Sequence, residues 1–463
     1  MVERRNEVSD PLLGIIKPWE QHDYTSTVWD ERAYTKMFEK FFYAEPCKIK
    51  DNYPQEWKFA TDVVFREYSY MQNTYVYTPR HTEKNIESSP AFPKFLKYDT
   101  EEAYLLENGW SEYDWLWDNF EGKRVLWWTF LKNEVLKKKK VEDNDIRMIM
   151  CTDPGFTRFG ACFEQHQNRL MKERSETHHA QIGWTPFFGG LDKRLTRLQK
   201  KGDTFVELDW TRFDGTIPRE VFKHIKEIRW FFLHHKCKTP ENRKRYEWYV
   251  SNLLDKITLL PTGEVTLIQT GNPSGQISTT TDNNMVNTFL TAFEVCYNYK
   301  KQYGRVPTVQ EYYDHVDTIC YGDDRILAYD SSWLNYKVED VPSMYKDIFG
   351  MWVKPENIKS SHTLEGLSFC GLVFIHRDKW YGIPNVDKIL STLEHPVRRL
   401  PNIEALWGKL VSLRILCEWA PQEVHDYLDE QFVRIREYAQ SENLELPEVP
   451  SDFYTIVWTG GPK

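Results

Sequence analysis

Two stretches of the chain repeat apolar residues at helical spacing. Val221, Ile225, Ile228 and Phe232 follow Pro218, which predicts a helix with proline in its first turn. Met285, Phe289, Phe293 and Cys296 line one face of residues 279–300, and Gly304 supplies a stop. Shorter apolar runs at 205–208, 316–320 and 326–328 read as buried strands. The last two frame a tight turn in which Gly322 provides the backbone angle. Asp209 ends the first strand. The order strand, helix, helix, hairpin predicts a small antiparallel sheet backed by helices, with carboxylates at its edge. The first hundred residues are mixed, aromatic and proline-rich, with a strand-like piece at 74–78. Residues 101–130 read as helical and tryptophan-rich. Residues 402–419 and 421–438 read as amphipathic helices within a mostly helical C-terminal unit, 385–463.

A length of 463 residues suits two to four domains or subdomains around a large core. The net charge of −9 is not that of a general polyanion binder. Phosphate binding needs only a local basic surface, however. Such clusters exist: residues 132–140 hold five lysines, and 193–201 hold five basic residues. The abundant Trp, Tyr and Phe serve packing and offer faces for base stacking. Eight cysteines without CxxC spacing argue against a structural zinc site and a secreted disulfide scaffold. Cys237 beside His234 and His235 is the nearest approach to a metal cluster, and reads as packing at a helix end. The polar first residues lack an apolar signal core, and no run reaches the ~20 apolar residues of a membrane span. The expectation is a soluble intracellular protein.

Three motifs carry the chemistry. They are Asp209-Trp-Thr-Arg-Phe-Asp214, Ser274-Gly275-x₃-Thr279-x₃-Asn283, and Tyr321-Gly322-Asp323-Asp324. A lone Asp at a strand end is usually a turn or helix cap. Two such sites joined by a third motif reverse that balance. Hard divalent cations take oxygen ligands, and Mg²⁺ is usually held by one or two carboxylates plus substrate phosphates. Asp209 and Asp323 are the expected metal ligands, with Asp324 assisting the metals or the substrate end they act on. Gly271, Pro273 and Gly275 suggest a loop whose backbone approaches a ligand closely.

These residues resemble the RNA-dependent RNA polymerases of positive-strand RNA viruses. The stretch Gly271-Asn-Pro-Ser-Gly-Gln-Ile-Ser-Thr-Thr-Thr-Asp-Asn-Asn284, with Tyr321-Gly-Asp-Asp-Arg325, is most similar to the astrovirus enzyme. Picornavirus and calicivirus polymerases share the sparser pattern. The matching segments run from about residue 132 to 371. The resemblance implies an α+β fold, a closed right-hand polymerase of fingers, palm and thumb with an antiparallel palm sheet. Fingers would span 1–201, palm 202–235 and 271–384, a fingers insertion 236–270, and a helical thumb 385–463.

Several residue roles follow from the same resemblance. Asp214, with Ser274, Thr279 and Asn283, recognises the incoming ribose. Lys132 and Arg147 bind the triphosphate, with Asn133 standing where the family usually has Asp. Lys359 protonates the departing pyrophosphate. Phe369 and Cys370 contact RNA at the primer side, Gly275 also contacts RNA, and Ser88 and Ser89 sit beside the template. The implied cofactors are two Mg²⁺ or Mn²⁺ ions. The implied partners are a single-stranded RNA template, an RNA primer or product duplex, ribonucleoside triphosphates and other viral replication proteins. In related viruses the tyrosine of a protein primer is a further acceptor. The implied location is the host cytoplasm, within replication complexes.

Rival readings make distinct demands. A reverse transcriptase usually has a bulky aromatic near the first motif and a Met-like residue before Asp-Asp. Asp214 and Gly322 occupy those places here. A non-catalytic RNA-binding scaffold would first lose its metal carboxylates, and they are intact.

Overall fold

The computed structural model describes residues 9–20, 22–39 and 48–461. The polar first residues lie outside that range. The central sheet has four antiparallel strands in the order Lys359–Ser361, Thr204–Glu207, Asp324–Tyr329, Val316–Tyr321. It is buried on both faces. Val206 and Leu327 face a core built largely from the helices Pro54–Glu67, Arg219–Phe232 and Thr279–Tyr303. Phe205, Ile319, Ile326 and Ala328 face the opposite way, onto the helix Gly190–Lys201 and the small sheet Ser368–Phe369, Leu372–His376, Trp380–Pro384. Alternate side chains of a strand point to opposite faces, so two-sided burial produces the short continuous apolar runs. The long helix Thr279–Tyr303 ends at Gly304, whose φ is 73°. The tight turn begins at Gly322 with φ 62°.

A second sheet orders Met148–Cys151, Leu126–Leu131, Lys256–Leu259 and Val265–Ile268. Its middle pair is parallel, Trp127 beside Thr258. Part of the expected insertion, 236–270, therefore completes a sheet begun more than a hundred residues earlier.

Two local expectations need correction. Residues 101–130 form two short helices, Glu101–Asn108 and Ser111–Asp118, and then the strand Leu126–Leu131. In that strand the run Leu-Trp-Trp-Thr-Phe-Leu alternates buried and less buried positions, a β pattern rather than a helical one. Residues 74–78 form no strand. Thr74 makes one bridge to Leu233, and the Tyr77 N–H donates to the Cys162 carbonyl across a helix.

The C-terminal unit is helical as expected: Val386–Ser391, Ile403–Leu416, Gln422–Ser441 and Phe453–Thr459. Its core takes in Leu13 and Ile16 from the far end of the chain. That N-terminal segment is strapped on by polar contacts as well. Asp10 accepts from the Leu400 N–H at 2.8 Å, and the Trp19 indole donates to Asp387 at 2.8 Å. The chain then crosses over, and Tyr24–Ser26 pairs with Val135–Lys137 beside the lysine run.

Candidate active site

Asp209 leaves the strand Thr204–Glu207 where two other segments converge. Its carbonyl accepts from the Lys354 N–H at 3.0 Å, and its carboxylate accepts from the Asn357 amide at 2.9 Å. The Lys354 ammonium stands 3.7 Å from the same carboxylate. Asp323 occupies the tip of the hairpin from the neighbouring strand pair. Asp209, Asp323, Asp324, Glu207, Asn357 and Lys359 all line one open cavity of about 360 Å³. Lys359 reaches it because its strand lies in register with Glu207.

The charges there are unbalanced. Burial raises the carboxyl of Asp323 above its ordinary range, and the charge of Asp209 pushes the same way. Burial pushes Asp324 up to about 7, against the Cys370 N–H that donates to its Oδ2 at 2.7 Å. Among the described residues, neither Asp323 nor Asp324 has a Lys, Arg or His partner within ion-pair distance. An all-oxygen cradle of crowded carboxylates fits hard divalent cations.

An adjoining cavity of about 710 Å³ shares Asp209 and Asp323 and extends past Asp214, Arg147, Lys140 and Ser274. Asp214 sits in the short helix Phe213–Thr216 after Arg212, whose φ is 53°. Burial, then the charge of Asp323, push Asp214 up to about 6, opposed by the Asn283 amide and Arg147. Asn283 donates to Asp214 Oδ1 at 2.7 Å. Its own oxygen accepts from Asn272 at 2.9 Å, so the amide is fixed with its NH₂ toward the carboxylate. Asn283 lies in the second turn of its helix and caps nothing.

The glycines of the loop serve close packing. A Cβ on Gly271 would stand 2.6 Å from the Asp214 carbonyl, and one on Gly275 would stand 1.9 Å from the Met150 carbonyl. Thr279 donates to the carbonyls of Pro273 and Gln276, both at 3.0 Å, and Ser274 accepts from the Met150 N–H at 3.3 Å. These two residues stitch the loop, while Asn283 alone of the trio bonds Asp214 directly.

Arg147 lines the larger cavity, ion-paired to Glu134 and acting through its charge on Asp214 and Asp323. Lys132 does not line either cavity. Its backbone is used structurally, donating to the Arg147 carbonyl at 2.7 Å. Lys140 and Lys354 line the cavity instead. The lysine run pointed toward Lys140, but pattern alone gave no signal for Lys354, Glu207 or Asn357.

Phe369 also differs from expectation. It is fully buried against Trp184, 5.5 Å between ring centroids, so its side chain belongs to the core and not to an RNA-facing surface. Cys370, with φ 51°, is exposed. Their hairpin hangs from two carboxylates. Ser368 donates its hydroxyl (2.7 Å) and N–H (3.1 Å) to Glu207, and Cys370 bonds Asp324. Ser88 and Ser89 line a third cavity of about 630 Å³ together with Gly275, Trp128 and Phe130.

In the cluster of His234, His235 and Cys237, the His234 ring accepts from the Lys236 N–H at a short 3₁₀ turn. Among the described residues, the grouping close enough for an ion is His22, Glu394 and His395. There the Tyr24 N–H donates to His22 Nδ1, which leaves the proton on Nε2 facing Glu394 at 2.7 Å. A protonated ring nitrogen does not ligate a metal.

Residues 1–432 match the family model described as viral RNA-dependent RNA polymerase. The chain is 55% identical over 463 residues to the non-structural polyprotein 1AB of turkey astrovirus 2, covering 99% of this chain and 28% of that polyprotein. It is 42% identical over 464 residues to the corresponding polyprotein of human astrovirus 1, covering 98% of this chain and 32% of the other. The chain thus spans less than a third of either polyprotein. Its fold is similar to that of the sicinivirus 3Dpol RNA-dependent RNA polymerase, with a TM-score of 0.73 at 15% identity over 99% of this chain and 97% of that one. The fold class expected from the motifs, a right hand with an antiparallel central sheet, is the one observed.

Proposed function

Because the chain belongs to the viral RNA-dependent RNA polymerase family, we propose that it copies single-stranded RNA by two-metal nucleotidyl transfer. The observation that carries this reading is the sharing of one cavity by Asp209 and Asp323, with the Asp214–Asn283 pair in the cavity next to it. Asp209 and Asp323 would hold Mg²⁺ or Mn²⁺. Asp324, with one oxygen engaged by Cys370, would serve more as a support for the turn and the primer-side hairpin. The bound ions would supply activation of the primer 3′ hydroxyl and neutralisation of the leaving pyrophosphate.

The chain's own groups do the rest. Asp214 and Asn283 orient the ribose by its 2′ hydroxyl, the group that marks RNA substrates. A site built to bond a hydroxyl rejects the analogue lacking it, because its buried polar groups are then unpaired. Arg147, with Lys140 and Lys354 at the same cavity, offers fixed positive charge to the triphosphate. Lys359, at the cavity edge, gives a proton to the departing pyrophosphate. Ser88, Ser89 and Gly275 border the template, and Cys370 the primer end.

In this reading residues 1–201 and 236–270 are fingers, 202–235 and 271–384 palm, and 385–463 thumb. The sheet that joins Leu126–Leu131 to Lys256–Leu259 supports placing the insertion with the fingers. Partners would be the RNA template, primer or product duplex, ribonucleotides and other replication proteins, in the host cytoplasm. Among the described residues, no helix is long and apolar enough to cross a membrane.

The test is primer extension on a defined RNA template, with each metal and with ribo- and deoxynucleotides. Metal-dependent ribonucleotide incorporation is expected. RNA binding without incorporation under any metal would reduce the protein to a scaffold, and preferential deoxynucleotide incorporation would make it a reverse transcriptase.

A further inference from the structure

The tip of the hairpin presents a problem that strand pairing does not solve. In a two-residue hairpin the last ladder pair is Tyr321 with Asp324, so the polar groups of Gly322 fall outside the ladder. They are met from below by the long helix. The Gly322 N–H donates to Asn284 Oδ1 at 2.7 Å, and the Asn287 amide donates to the Gly322 carbonyl at 2.9 Å. Both asparagines are buried, at 0% and 1% exposure. Each amide is fixed at its other end as well. Asn284 donates to the Met171 sulfur at 3.5 Å, and Asn287 accepts from the Thr291 hydroxyl at 3.2 Å. The residue before Asn284 is Asn283, which holds Asp214.

We infer that Asn284 and Asn287 are positioning residues that set the height and orientation of Asp323 for metal binding. One turn of one helix thereby connects the ribose-reading carboxylate to the turn that carries Asp323. The inference rests on the proposed metal role of that turn. It predicts that losing either amide lowers metal affinity beyond any general loss of stability. Partners that orient a metal ligand typically change affinity by about 10- to 100-fold when removed.

The experiment is Mn²⁺ binding to the full chain without RNA, read by the electron paramagnetic resonance of free Mn²⁺. It compares wild type, Asn287→Ala, Asn284→Ser, Asp323→Asn and Asn298→Ala. Asn298 is a buried amide on the same helix whose partner among the described residues is the Glu294 carbonyl, at 3.1 Å, and it controls for loss of a buried hydrogen bond. The expected result is a dissociation constant raised about tenfold or more in Asn287→Ala and Asn284→Ser. Asn298→Ala should bind as wild type, whatever its melting temperature. If Asn287→Ala does not fold, Asn284→Ser and Asn287→Ser carry the comparison. Wild-type affinity in the asparagine variants, with Asp323→Asn impaired, overturns the inference and leaves the metal reading intact. Wild-type affinity in Asp323→Asn overturns both.

Discussion

Asp214 pays a measurable electrostatic penalty for its position, and removing its charge should stabilise the metal-free protein. Burial and the charge of Asp323 push its carboxyl from 3.8 up to about 6. That is roughly two units, and at 1.36 kcal/mol per unit the ionised side chain costs the fold about 3 kcal/mol. The sign follows from linkage. The folded state holds the proton more tightly than the unfolded chain, so the penalty is absent below pH ~4, grows as the unfolded carboxyl ionises, and is complete above pH ~6. Asp214→Asn keeps the shape and an oxygen for the Asn283 amide, and removes the charge. The assay is thermal unfolding of both proteins in EDTA from pH 4.5 to 8. The variant should melt higher at pH 8, with a gap that closes toward pH 4.5. Added Mg²⁺ should narrow the gap at pH 8, since cations would answer the carboxylate excess around Asp323. The same variant should discriminate less between ribo- and deoxynucleotides. A variant that melts lower at pH 8, or a gap that ignores pH, would refute the electrostatic account.

Three further outcomes follow from the geometry. Asp323→Asn should abolish elongation while gel-shift binding of RNA stays near wild type, and wild-type elongation would remove it from the chemistry. Gly275→Ala must displace the loop from Met150, whose carbonyl would stand 1.9 Å from the new methyl carbon. A destabilisation of about 1–3 kcal/mol by denaturant titration is expected, with loss of elongation, and a silent substitution would contradict the close packing. Lys359→Ala should lower the maximal single-turnover rate by about 10²–10⁴-fold with little change in nucleotide affinity, a split visible in rapid-quench kinetics.

The parts of this architecture legible in the sequence are those where local pattern and burial agree. The runs at 205–208 and 316–320 showed as strands because both faces of their sheet are covered. The helix of Met285, Phe289 and Phe293 showed because its apolar stripe is wide and a glycine ends it. Lys359–Ser361 did not show: it is a polar edge strand, defined only by pairing with residues 152 to 156 positions earlier, and this pairing brings Lys359 to the cavity of Asp209. Glu207 was passed over for the same reason, since its partner Ser368 is close only in space. Phe369, fully buried, marks the opposite failure. Motif resemblance located its segment but not which way its side chain faces.

The N-terminal strap has a consequence for synthesis. Asp10 meets the Leu400 backbone across 390 positions, and Leu13 and Ile16 bury themselves among helices from the last part of the chain. A ribosome delivers that first segment early and its seat late. In the interval its apolar side chains lack these partners, and the loop to be closed spans 390 positions, a slow event in folding. Nascent chains halted before residue 403 should therefore expose Leu13, Ile16 and Trp19, and attract whatever in the cell recognises unseated hydrophobic segments.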